Sequence, residues 1–197
     1  MRDFEKKILL EKIESMLPLN PVLKGHLLRV FRTRYYKAGD IVLNLGETND
    51  FIAFVIKGIA CAHYPDNTGH WKVARLMNEE CLIGSLVSFV SQVPSKEEIL
   101  ALEDTMICGV SHADLYKLYD IHLGFNKVGR IFLEKYLEIA EACSLILRNE
   151  SAKTRVLRFN EFHSDLVHRV PQQYIASYLG ITEETLKVYS MLFETKN

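Results

Sequence analysis

From Phe4 to Phe31 the apolar positions fall at helical spacing. Phe4, Ile8, Leu9, Ile13 and Met16 line one face of an opening helix that stops before Pro18, and a second helical stretch runs from about Pro21 to Phe31. From Thr33 to Val110 the period changes. The run YYKAGDIVLNLGETNDFIAFVIKGIACAHYPDNTGHWKVARL consists of short β-branched and aromatic segments with Gly39, Gly46, Gly58 and Gly69 between them. Pro65 to Gly69, read PDNTG, is a hairpin turn. Strands set this close together predict a sandwich or jelly roll.

Ser111, followed three residues later by Asp114, starts another helix, and after a break near Gly124 the longest helical segment runs from about Asn126 to Asn149. Its residues Val128, Phe132, Tyr136, Ile139, Cys143 and Ile146 alternate steps of four and three, which makes a seam along one side. Lys127, Arg130, Glu134, Lys135, Glu138 and Glu141 cover much of the rest. Such a seam can pack on the strands of its own chain or pair with a second copy as a two-stranded coiled coil. In the next segment, Ser151 to Phe162, Val156, Leu157 and Phe162 face inward and Lys153, Arg155 and Arg158 outward, where they can meet phosphates or only solvent.

Val170 to Leu186, VPQQYIASYLGITEETL, spells two short amphipathic helices. Ile175, Ala176 and Leu179 recur at helical spacing, with small Ala176 where another helix comes close. Gly180 supplies the positive torsion that ends the first helix, Ile181 plugs the corner, and Thr182 caps a second helix whose first turn holds Glu183 and Glu184. This is the grammar of a helix-turn-helix, and also of a plain helical hairpin.

The chain has 197 residues, 48% of them hydrophobic, which suits one large or two small domains with real cores. No apolar run approaches the ~20 residues of a membrane span, and the start MRDFEKKILLEKIESML does not read as a signal peptide, so a cytoplasmic location is expected. Cys61, Cys81, Cys108 and Cys143 stand singly among apolar neighbours and read as small buried hydrophobes. Net charge is −1, and from Ser151 onward six positive residues (Lys153, Arg155, Arg158, Arg169, Lys187, Lys196) face five negative ones, a weak electrostatic footprint for nucleic acid. His63 and His70 are separated by the hairpin and do not make a metal-ligand spacing, and no GxSxG, P-loop or dinucleotide glycine pattern occurs. Neither catalysis, a metal nor a cofactor is expected.

Together with the pairs Gly39-Asp40, Gly46-Glu47 and Lys57-Gly58, the Val170–Leu186 segment resembles the Crp-Fnr family of bacterial transcription regulators, and the resemblance covers almost the whole chain. It implies an α+β protein: an N-terminal double-stranded β-roll (jelly roll) sensor domain with flanking helices over 1–124, a long dimerisation helix over 125–149, and a C-terminal winged-helix-type helix-turn-helix DNA-binding domain over 150–197. The implied partners are double-stranded operator DNA, a second copy of the chain through the seam, and an unidentified small-molecule effector. The implied DNA-binding residues are Gln172, Gln173, Thr182, Glu183, Glu184, Thr185 and Lys187.

Two departures from the family pattern matter. Family members that hold a cyclic nucleotide carry a Gly-Glu-Leu start and an arginine about a dozen residues on that pairs with the phosphate. Here the cassette reads Gly84-Ser85-Leu86, Glu97 and Glu98 stand near the arginine position, Lys96 is the only cation nearby in sequence, and Glu80 replaces a usual glycine. Cyclic AMP is therefore not expected to bind in the usual way. In the recognition helix, Glu184-Thr185-Leu186 is followed by Lys187-Val188 where a Ser-Arg or Gly-Arg pair is common, so a guanine-reading arginine is missing. The alternative reading is a degenerate member that acts as a small-molecule-binding or interaction module without sequence-specific DNA binding.

Overall fold

A computed structural model describes residues 4–194; Lys196, counted in the charge balance above, lies outside them. Two helices open the fold, α1 (Phe4–Glu14) and α2 (Pro21–Val30), the second capped by Asn20, whose Oδ1 accepts from Leu23 N at 2.8 Å. Eight strands follow: β1 (Arg32–Tyr36), β2 (Ile41–Leu43), β3 (Phe51–Lys57), β4 (Ala60–Pro65), β5 (Trp71–Met77), β6 (Leu82–Ile83), β7 (Glu98–Ala101) and β8 (Thr105–Ser111), with a short helix α3 (Leu86–Ser91) between β6 and β7. They form two four-stranded antiparallel sheets, ordered β1-β8-β3-β6 and β2-β7-β4-β5. This is the jelly roll expected from the close-set strands.

The interior between the sheets is filled by Phe51, Ala53, Val55, Ala60, Ala62, Met77, Ile99 and Ile107. Ile52, Phe54, Cys108 and Val110 point the other way and carry the helical cover. With both faces covered, β3 is apolar without alternation, Phe51 to Val55 all being buried. The hairpin at Pro65–Gly69 closes as read: Asp66 Oδ1 accepts from Thr68 N at 2.8 Å and His70 N at 3.0 Å. Glu80 adopts φ +67, a conformation natural to glycine.

Helix α4 (His112–Ile121) starts at Ser111, whose Oγ accepts from Asp114 N at 3.1 Å. After a 3-10 turn at Leu123–Phe125 comes α5 (Asn126–Asn149), roughly 36 Å long. Four helices follow among the described residues: α6 (Ala152–Phe162), α7 (Ser164–Val167), α8 (Gln172–Leu179) and α9 (Glu183–Glu194). No strand follows β8 among the described residues, so the wing of the winged-helix expectation has no counterpart there; α7 occupies the segment before α8 instead.

The α5 seam needs correcting. Val128 is 1% exposed in the core under the first sheet, and Phe132 packs on Phe54 with ring centroids 4.9 Å apart. Cys143 Sγ lies 3.5 Å from Tyr178 Oη, and Ile146 lines a recess with Phe159 and Leu179. Tyr136 stands over the Arg75 guanidinium, and only Ile139 of the six is well exposed. The seam therefore faces the chain's own β-roll and C-terminal helices. The periodicity was real, but a period cannot say which body it meets. A second, mostly apolar series, Leu133, Leu137, Ala140, Ser144 and Leu147, has the same four-three steps and is exposed except at half-buried Ser144, with Leu133 49% and Leu137 61% exposed.

Candidate functional site

One candidate is the polar cluster at the β6–α3 junction. Gly84 has φ +141 there, and Ser85 precedes α3. Asn49, buried, donates from Nδ2 to Ser85 O at 3.2 Å, while its backbone N donates to Ser88 Oγ at 2.9 Å. Arg75 enters from β5, on the strand face it shares with Met77. Its Nη2 donates to Gly84 O at 3.1 Å and to Glu97 Oε1 at 2.6 Å. Both side chains are about four-fifths buried (22% and 19% exposed), so the cluster carries a ready-made, charge-assisted pair.

Gly84 and Glu97 thus meet through Arg75, with Ser85 next to Gly84 in the chain. Leu86 and Glu98 do not join them. Leu86 turns to an apolar cavity beneath the helices, and Glu98 lies on the opposite strand face, where its Oε1 meets His63 Nε2 at 3.0 Å. The sequence reading missed Arg75, taking Lys96 for the only nearby cation. Its signal was the two-residue step from Arg75 to Met77, which places the guanidinium on the inward side of β5; a bulge at Ala74 puts Val73 on the other face, opposite His63.

The second candidate is the face carried by α8 and α9. Gly180, at φ +63, ends α8; its N donates to Ser177 O at 3.1 Å and Ile181 N donates to Ala176 O at 3.0 Å. Thr182 Oγ1 accepts from Thr185 N at 3.1 Å and starts α9, so its hydroxyl serves the helix end. Buried Ala176, Leu179 and Leu186 seal the helices to each other. Gln172 and Gln173 are exposed at the start of α8, and Thr182, Glu183, Glu184 and Lys187 along α9. Two carboxylates and one ammonium on that face favour the helix N-terminus more than a phosphate. The arginines in this half are committed within the chain: Arg155 Nη1 donates to Glu150 O at 3.0 Å, Arg158 Nε pairs with Glu150 Oε1 at 2.8 Å, and Arg169 reaches the β-roll.

Arg169, just before α8, ties the C-terminal helices to the β-roll. Its two terminal nitrogens grip Glu79 at 3.0 and 2.8 Å, and Nη2 also donates to Glu103. Glu79 in turn accepts from Gly58 N at 2.9 Å, so three turns at one end of the roll converge on one guanidinium. The hydrogen bonds from Arg169 hold the Glu79 carboxyl down at about 2. Around this clamp Ile59, Leu76 and Leu102 of the roll join Val156, Phe159, Leu166 and Ile175 in one apolar cluster, and Val73 N donates to Ser177 Oγ at 2.9 Å. Among the described residues no group of three or more His, Cys, Asp or Glu could hold a metal ion, and no helix is long and apolar enough to cross a membrane.

Residues 33–122 match the cyclic nucleotide-binding domain family. Solved structures share the fold over most of the chain. FixK2 from Bradyrhizobium japonicum superposes with a TM-score of 0.72 at 18% identity, over 85% of this chain and 86% of that one. The c-di-GMP responsive global regulator CLP of Xanthomonas campestris gives 0.67 at 15% identity, over 90% and 93%. The Catabolite Activator Protein of Thermus thermophilus gives 0.56 at 18% identity, over 92% and 86%. Among curated proteins no sequence match to this chain is found.

Proposed function

We propose that the chain is a homodimeric DNA-binding transcription regulator of the Crp-Fnr type whose β-roll does not answer to cyclic AMP. The observation that carries this reading is the continuity of β-roll, 24-residue α5 and the α8–Gly180–α9 pair in one chain that resembles FixK2 and CLP along most of its length. In this reading α5 holds two copies together and α9 enters the major groove, two half-sites lying about one helical turn apart. Gln172, Gln173, Glu184 and Lys187 are the base- and phosphate-facing candidates. Selection from a random duplex library tests it. An inverted repeat is expected, with affinity falling as salt rises, and Lys187→Ala is expected to reduce the salt slope by about one unit while leaving the sequence preference in place.

The acidic α9 face and the internally engaged arginines favour a second reading, a module that keeps the fold without sequence-specific DNA binding. No enrichment from the library, with the dimer intact, selects it.

Cyclic AMP has to part Arg75 from Glu97 and then sit beside the released carboxylate. Losing that charge-assisted bond costs about 1.5–3 kcal/mol, roughly ten- to a hundredfold in affinity, before repulsion is added. Calorimetric titration is expected to show no saturable heat with cyclic AMP at micromolar concentrations. Glu97→Gln, which frees Arg75 and removes the negative charge, is expected to gain anion affinity; micromolar binding by the unaltered protein would overturn the reading.

A further inference from the structure

Beneath the helical cover, on the far side of the first sheet from Arg75, lies an apolar cavity of about 140 Å³. Its floor is Ile52, Phe54 and Val110 of the sheet, and its walls come from α1, α2, α3, α4 and the first turns of α5. We propose that this cavity is a binding site for a small neutral aromatic molecule.

Size and lining select that class. Close-packed interiors have few voids larger than a water, and a void's lining atoms forgo the contacts they would otherwise make. Apolar voids of about 150 Å³ stay dry and admit benzene. Here the surface is almost wholly carbon, and the rings of Phe31, Phe89, Phe125 and Phe132 offer edges and faces to a flat guest. A charged guest would be stripped of water with no partner supplied. Tyr119 brings a hydroxyl to the wall, and burial raises its phenol pKa, so that group also stays neutral. Half-exposed Val90 and Tyr116 make a rim through which a guest can enter.

A guest there would touch the helix that links the roll to the C-terminal helices. Val128, Phe132 and Leu133 are all on α5, and α4 meets α5 closely: a Cβ on Gly129 would stand 2.2 Å from Tyr119 Oη. Occupancy would therefore fix α4 against α5. The binding site does not depend on whether α9 reads DNA.

The test uses the full chain with toluene and indole as probes and benzoate as the charged counterpart. Expected are a saturable rise in melting temperature, about 5–10 °C at a hundredfold excess over Kd, and intermolecular NOEs from toluene to the methyl groups of Val128 and Leu115. Val90→Trp, at an exposed rim position, is expected to weaken toluene at least about tenfold, and Leu115→Phe, which fills the void, to do the same. Absence of any saturable shift with both neutral probes overturns the proposal. So do NOEs confined to other methyl groups, unchanged toluene affinity in a folded Val90→Trp protein, or benzoate binding as tightly as toluene.

Discussion

Replacing Arg169 by methionine is expected to lower the unfolding free energy by about 2 kcal/mol and to loosen the C-terminal helices from the β-roll. The variant leaves Glu79, Glu103 and, four residues before it, Asp165 facing one another without their shared cation. A fully buried pair broken in this way costs more, about 3–5 kcal/mol, but these side chains are about one-third exposed and water screens part of the repulsion. The pH dependence gives the sharper signature. Glu79 is held at about 2 when folded against 4.5 as the reference value, so its contribution is present above about pH 4.5 and is lost as pH falls towards 2. Urea titrations between pH 6 and 2.5 are expected to show the difference between the two proteins narrowing as the medium becomes acidic. Limited proteolysis at neutral pH is expected to cut Arg169→Met faster around Glu150, where α5 gives way to α6. Equal stability at pH 6, within about 0.5 kcal/mol, would mean the clamp does not hold the two regions together.

Local signals carried much of this fold. The Ser111 and Thr182 caps, the Gly180 stop and the span of α5 were all readable because each is fixed by a few neighbouring residues. So was the departure at Ser85 and Glu97. Long-range arrangement was less legible. Arg75 lies nine residues before Gly84 and twenty-two before Glu97, and it joins them only because the stretch of β5 after the bulge at Ala74 turns Arg75 and Met77 inward. Glu98, one residue from Glu97, goes to the opposite face for the same two-residue reason. The Arg169 clamp was invisible since its partners, Glu79 and Glu103, are turn residues at two points of a roll whose register no local pattern specifies. The α5 seam shows the other kind of miss: an amphipathic helix announces an apolar stripe but not its partner, and on α5 two stripes compete.

Changing Leu133 and Leu137 together to glutamate is expected to make the protein monomeric without unfolding it. Both side chains are exposed in the single chain and belong to the outward series on α5, so their loss removes little from the chain's own core. In the proposed dimer each leucine is buried against the second helix, worth about 1.5 kcal/mol, and two subunits contribute two apiece. The dissociation constant is expected to rise at least about ten-thousandfold, with four juxtaposed carboxylates adding to it. Sedimentation velocity reads the change, and affinity for an inverted-repeat duplex is expected to fall with it because one half-site binds poorly. Phe132→Ala separates this from the earlier seam: Phe132 packs on Phe54 within the chain, so its truncation is expected to cost stability, about 3 kcal/mol, and to leave the dimer in place. The reverse outcome, a dimer that survives the leucine changes and dissociates with Phe132→Ala in a folded protein, would return the interface to the Val128–Ile146 side of the helix.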